Sequence, residues 1–254
     1  MKKAIVFLSM MVLVLMVSRQ HVVTVFNNVS VAEASKRIIP IYSVNTDEKK
    51  VSLSFDAAWG ADDTDSLLET LAKHDVKATF FLVGDWVRKY PDEVKRIAAA
   101  GHDIGNHSDK HPHMASMSKE QIKEDTMRAH NSTKELLGID MNLFRPPFGE
   151  YNNTVMEALK ECGYYVIQWD VDSLDWKEHG LQPLIDKVLK HKDLGNGSIV
   201  LMHNNAKYTK DALESIIVGL KEQGYEMVPL SQLIMKEDYK TDHTGRQHRI
   251  SPAS

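Results

Sequence analysis

Short apolar runs of strand length follow one another down this chain, and amphipathic helical stretches separate them. No other feature restricts the fold as much. Val51–Phe55 alternates as a strand does. Residues 64–74 place Leu67, Leu68 and Leu71 on one helical face, with Asp63 or Thr64 as the cap. Ala78–Val83 reads as a short buried strand, and Pro91 opens a helix that stops before Gly101. Residues 118–137 form a longer helix, with Ser118 as its cap, Gln121 three residues on and Gly138 closing it. Further helices at 152–161, 181–191 and 209–223 alternate with strands at 164–169, 198–202 and 226–228. This order points to βα units around a parallel sheet. About seven such units allow closure into a barrel, and an open doubly wound sheet is the alternative.

The chain has 254 residues, enough for one large α/β domain with a sizeable core. Its formal net charge of -4 argues against nucleic acid as a partner. Cys162 is the single cysteine, so no intrachain disulfide forms, and the bland reading of a small buried thiol suits it. At the N-terminus Lys2 and Lys3 precede an apolar run from Ala4 to Val17, the pattern of an export signal. That run is shorter than the ~20 residues of a typical membrane-spanning helix. Residues 1–34 are therefore expected to be a signal peptide or a membrane anchor. Residues 35–47 read as a linker, 48–235 as the folded domain, and 236–254 as a polar C-terminal tail without periodicity.

The unusual polar clusters fall just after the predicted strands, where parallel α/β folds place their sites. Asp56 follows the first strand in FDAAWG and suits either a general base or a turn. His107 and His111 stand four apart, a spacing that lets both reach one metal from a single helical turn. Arg145 opens RPPFG, where two prolines stiffen the backbone and a fixed guanidinium can orient a carboxylate. Asp170, Asp172 and Asp175 lie between Trp169 and Trp176, and paired acids there admit a glycosidase reading. His203 ends the apolar strand at 198–202.

Taken in order, SFDAAWG, HSDKH, RPPFG, DVDSLDW and LMH resemble the five motifs of the polysaccharide deacetylase family, the NodB-homology domain of carbohydrate esterase family 4. The likeness spans about residues 50–230. The opening IPIYSVNTDEKKVSLSFDAAWG is similar in particular to the sporulation-associated deacetylases of Gram-positive spore formers. The resemblance implies an α/β fold, a distorted (β/α) barrel, with a divalent metal, usually Zn2+. It implies removal of acetyl groups from N-acetylglucosamine or N-acetylmuramic acid in a glycan such as peptidoglycan. The action would lie outside the cytoplasmic membrane, with the chain secreted or held to the membrane by an uncleaved N-terminal segment. By the same resemblance Asp56 is the general base, Arg145 orients it, and His107 and His111 are metal ligands. His203 is the general acid and Asp175 tunes it. Trp176 and Leu201 would line the acetyl pocket, with Phe148 and Trp59 as further substrate contacts. One position departs. The family's first motif carries two successive aspartates, the second on the metal, and here that place is Ala57. Three outcomes stay open: Asp62 or Asp63 supplies the third ligand, Asp56 itself ligates, or the metal binds weakly or not at all. On the last outcome the chain is a weakly active or inactive glycan-binding protein.

Overall fold

Period-two alternation in the strand expected at 51–55 governs the architecture. The computed structural model, which describes residues 37–250, extends that strand to Lys50–Ala57 (β2), after a two-residue β1 at Ser43–Val44. Val51, Leu53, Phe55 and Ala57 join the larger apolar cluster, which also takes in the helix residues Leu67, Leu71 and Ile217. Ser52, Ser54 and Asp56 are buried on the other face. Because successive side chains of a strand point to opposite faces, one face of β2 supplies core and the other brings polar groups inside the sheet's curl.

The remaining strands of the main sheet are β3 (Thr79–Leu82), β4 (Asp103–Asn106), β5 (Leu143–Phe144), β6 (Tyr165–Val166), β7 (Val171–Asp172) and β8 (Ile199–His203). They run in the order β6-β5-β4-β3-β2-β8-β7, each neighbouring pair parallel, and β9 (Glu226–Met227) joins the start of β2. Parallel neighbours need long crossovers. These contain α1 (Thr64–Lys73), α2 (Gly84–Lys89), α3 (Pro91–Ala99), α4 (Lys119–Leu137), α5 (Asn153–Glu161), α6 (Leu181–Leu189) and α7 (Thr209–Glu222), with a one-turn α8 (Leu230–Leu233) after β9. The curled sheet and its helices form a distorted (β/α) barrel, not an open doubly wound sheet. The inner face carries a second apolar cluster that includes Ile41, Phe81, Leu143, Ile167, Ile199 and Leu230.

Most expected elements appear within a residue or two of their expected ends. The α4 start shows the full reciprocal cap, with Ser118 accepting from the Gln121 backbone and the Gln121 side chain accepting from that of Ser118; Gly138 closes the helix in the left-handed region. The cap of α1 differs. Asp63 holds the N-cap position but makes no cap hydrogen bond, because its Oδ2 accepts from the Asn205 N–H instead. The strand expected at 164–169 shortens to β6, since the backbone at Gln168 turns to meet Arg145. β4 went unread because Asp-Ile-Gly-Asn contains one large apolar residue. Gly105 is needed there, as a Cβ would stand 2.5 Å from the Phe81 ring.

Within the described residues, 37–47 of the segment read as linker and 236–250 of the segment read as tail are tied into the fold. Ile41 fills the seam beside β6: its N–H donates to the Val166 carbonyl at 2.8 Å and its carbonyl accepts from Gln168 at 2.7 Å. β1 pairs with β11 (Arg246–Arg249), and β11 with β10 (Tyr239–Thr241), in a separate three-stranded sheet. Residues 239–249, read as part of a polar tail without periodicity, thus form two paired strands. These strands carry little apolar patterning, and buried Gln247 anchors them by exchanging two hydrogen bonds with the Met235 backbone. The N-terminal segment 1–34 lies outside the described residues. No helix among the described residues is long and apolar enough to cross a membrane.

Asp170, between β6 and β7, pins the seam from the other side by accepting from the Ile199 N–H at 2.8 Å and the Ser198 hydroxyl at 2.9 Å. Burial pushes its carboxyl up to about 6, despite these bonds and the charge of Arg246. The folded pKa lies above the unfolded value of about 3.9, so the native state holds the extra proton between the two. This contribution to stability is full at low pH and is lost as pH rises through about 6. Asp170→Asn is expected to flatten that slope and to gain on the order of 1–2 kcal/mol over wild type at pH 7.5. Tm measured from pH 5 to 8 on both proteins checks this; parallel curves would show that Asp170 is not the source.

Candidate active site

The polar face of β2 ends at Asp56, and the neighbouring strands deliver their own last residues to the same place. His107 follows β4, Arg145 follows β5 and His203 closes β8. Asp175 and Trp176 come from a helical turn at Asp175–Lys177, just after β7. A cavity of about 480 Å³ opens here, lined by Asp56, His107, His111 and His203 with Trp59, Phe148, Trp176 and Leu201 around them. A larger, shallower cavity of about 940 Å³, between residues 44–48 and 231–238, holds none of the motif residues. The smaller cavity is therefore the candidate site.

Arg145 has no solvent exposure and binds Asp56 through Nη1 at 2.8 Å. Its Nη2 donates to the Ser54 hydroxyl at 2.8 Å and the Gln168 carbonyl at 3.2 Å. The guanidinium stacks over Phe81 at 4.3 Å and Trp169 at 5.5 Å. Burial alone would favour the neutral Asp56 acid, but the charge and hydrogen bond of Arg145 outweigh it and hold the carboxyl below the usual range.

His203 lives in the opposite environment. Its Nδ1 lies 2.7 Å from Asp175 Oδ1, and its backbone N–H donates to Oδ2 at 2.7 Å. Asp175 also accepts from the Thr209 hydroxyl at 2.7 Å and the Trp176 N–H at 2.8 Å. Burial works against the imidazolium, but the hydrogen bond and charge of Asp175 prevail and raise His203 above the ordinary histidine value. A carboxylate held ionised and an imidazole held protonated thus share one cavity, the arrangement that separates a base from an acid.

His107 Nδ1 lies 2.7 Å from the Arg145 carbonyl, which accepts its proton and leaves Nε2 as the lone-pair nitrogen, 3.5 Å from Asp56 Oδ2. The His111 ring stands edge-on, 4.9 Å from that of His107. The two do not share a helical turn as the spacing suggests. They sit on a loop with Ser108 and His111 at positive φ, held by the Ser108 hydroxyl accepting from the His111 N–H. Burial and the neighbouring His107 push His111 down to about 4, and burial lowers His107 as well. Both rings are neutral at physiological pH, as metal ligation requires.

The donor set nevertheless stops short of a metal centre. Asp56 has one oxygen committed to Arg145. Asp62 is exposed, Asp63 is turned to Asn205, and neither lines the cavity. Ala57 packs with the apolar cluster on the far face of β2. Among the described residues no group of three or more His, Cys, Asp or Glu is arranged to hold a metal ion. Two imidazoles do not fit a catalytic zinc, which takes three protein ligands.

The other predicted residues are placed plainly. Trp59, Phe148 and Trp176 are exposed at the cavity mouth, and Leu201 forms a buried wall. Asp170 points to the Ile199 N–H and Asp175 to His203, so the three acids of DVDSLDW do not form a facing pair and the glycosidase reading loses its basis. Sequence reading missed Ser54 and Thr209, which hold Arg145 and Asp175; Asp172 and Trp169, singled out within the DVDSLDW cluster, line the cavity. The alternation of β2 points to Ser54; nothing in the sequence points to Thr209.

An α/β barrel with its polar residues gathered at the strand ends is what fold and site define together. The family pattern for polysaccharide deacetylases matches residues 43–167. An uncharacterized protein of Bacillus subtilis, YlxY, is 34% identical over 195 residues, which cover 77% of this chain and 60% of that protein. A peptidoglycan-N-acetylglucosamine deacetylase of Bacillus cereus is 34% identical over 191 residues, 72% of this chain and 68% of the relative. Among solved structures, a carbohydrate esterase family 4 pseudoenzyme from Bacillus anthracis superposes with a TM-score of 0.73 at 35% identity, covering 76% of this chain and 68% of that one. A mutant of that pseudoenzyme is described as having restored enzymatic activity. This chain belongs to the polysaccharide deacetylase family.

Removing Arg145 should expose how much depends on it. Arg145→Met leaves a buried carboxylate unpaired and is expected to cost about 3–5 kcal/mol. Adding Asp56→Asn should recover part of that loss. Urea unfolding of the single and double variants measures the coupling, and additive losses would deny it.

Proposed function

We propose that the cavity hydrolyses the N-acetyl amide of sugar residues in a cell-wall glycan, peptidoglycan or a related N-acetylated polymer, outside the cytoplasmic membrane. The observation that carries this reading is the pair of oppositely biased groups, Asp56 with Arg145 and His203 with Asp175, across one cavity. Asp56 takes a proton from water as its oxygen attacks the acetyl carbonyl carbon. The C–N bond then breaks, and His203 Nε2–H gives its proton to the departing nitrogen. Acetate leaves and the amine stays on the sugar. Trp59, Phe148 and Trp176 offer exposed aromatic faces for sugar rings, and Leu201 an apolar wall for the acetyl methyl. The likeness to sporulation-associated deacetylases supports a role in the spore wall, with the N-terminal segment directing export.

A second reading has its own observation. The donor set holds two imidazoles, and Ala57 stands where the family carries a metal-binding aspartate. On this reading the chain binds glycan with little or no turnover.

Acetate release from N-acetylglucosamine oligomers and from peptidoglycan separates the two. Wild type is expected to exceed His203→Ala by about 10²–10⁴-fold. Equal, near-zero rates with glycan binding retained would transfer the assignment to the second reading. The pH profile gives a further check. Activity needs His203 protonated, so it should fall as pH rises through a value above the ordinary histidine pKa of about 6.5. Asp175→Asn removes the charge that holds the proton, so the alkaline limb should move to lower pH. An unmoved limb would take the acid role from His203.

A further inference from the structure

Between His107 and His111 the chain buries a carboxylate that the hydrolysis does not use. Asp109 is 2% exposed. Its Oδ1 lies 2.7 Å from Nη1 of Arg88 on α2, and its Oδ2 3.2 Å from Nε of Arg128 on α4. The Asp109 N–H donates to Asp125 Oδ1, also on α4, at 2.9 Å, and the Asp109 carbonyl accepts from the Asp85 N–H at 3.0 Å. The preceding carbonyl, of Ser108, accepts from the Gly84 N–H at 2.9 Å. α2 begins with a glycine for a steric reason: a Cβ there would stand 2.4 Å from Asp109 Oδ1.

The loop thus fastened is strained. Ser108 at φ 70 and His111 at φ 55 occupy the left-handed region that side-chain-bearing residues avoid. Such conformations persist where the surroundings over-determine them. The Ser108 hydroxyl and the Asn106 side chain hold the turn locally. Among the described residues, Asp109 alone ties it to two separate helices. A buried carboxylate met by two guanidinia is costly to leave unpaired, so the loop is held where Asp109 stays beside both. That arrangement sets both histidine rings toward the same cavity.

We propose that Asp109 is a positioning residue: its clamp between Arg88 and Arg128 fixes the loop so that His107 and His111 face one pocket. The proposal rests on the reading of that pocket as the active site. Asp109→Asn keeps the size and removes the charge. In this variant, amide hydrogen exchange of residues 107–113 should rise at least tenfold while β2 and β8 keep their protection. The NOE between the His111 and Phe148 rings, whose centroids lie 4.4 Å apart, should weaken. Acetate release should lose more than tenfold in kcat with KM within twofold. Arg128→Gln, at a half-exposed side chain, should shift loop exchange and NOE in the same direction by less. Unchanged loop exchange and an unchanged NOE in Asp109→Asn would overturn the proposal. Should that variant fail to fold, the same null result in Arg128→Gln overturns it. If wild type releases no acetate, the hydrolytic reading fails, yet exchange and NOE still decide the clamp.

Discussion

A guanidinium with no exposure to solvent sits inside the barrel, and the rest of the site is organised around it. Burying Arg145 is expensive unless its charge and its donors are answered. Asp56 answers the charge; Ser54 and the Gln168 carbonyl take two more hydrogen bonds; Phe81 and Trp169 lend their π-faces. Its own carbonyl fixes the tautomer of His107. One residue thereby orders the ionised carboxylate, one histidine and the end of β6. This dependence explains why RPPFG is stiffened by two prolines: a mobile backbone at 145 would release all three.

His203 shows the complementary device. Asp175 spends its oxygens on a ring nitrogen, two backbone N–H groups and the Thr209 hydroxyl. A carboxylate so fully engaged has no freedom to turn toward substrate, and its charge acts through the imidazole. Asp56 and Asp175 differ because their partners differ: Asp56 faces a permanent cation, Asp175 a titratable one.

The sequence made the fold legible wherever periodicity was strong. β2, α1, α4, α5 and α7 announce themselves through alternation, leucine spacing and caps. β4 does not, because its interior position opposite Phe81 demands glycine and leaves no apolar pattern. The segments at 41–44 and 239–249 were unreadable for a related reason. They are held chiefly by backbone pairing and by Gln247, with Ile41 and Val44 as isolated apolar anchors, and hydropathy carries no record of such bonds. At the site, residues with chemistry of their own were visible from their place after strands. Those that act by holding others, Ser54, Thr209 and Asp109, carry ordinary residue types at ordinary positions and acquire meaning only through long-range contacts.

The alternation of β2 also bears on the missing ligand. Asp56 and Ala57 are adjacent, so a regular strand sends them to opposite faces, and Ala57 duly packs under the helices. For both positions to serve one cavity the strand must end between them, letting the second side chain rotate out of the pleat. Here β2 stays regular through Ala57, which pairs with Leu82 and whose carbonyl accepts from the Val83 N–H. Alanine is what a regular strand end over an apolar cluster calls for. The departure at 57 thus removes a donor atom at a position whose side chain packs into the apolar cluster. Asp56 and His203 still share the cavity because each is the last inward-facing residue of its strand, β2 and β8, and those two strands pair Asp56 directly with His203.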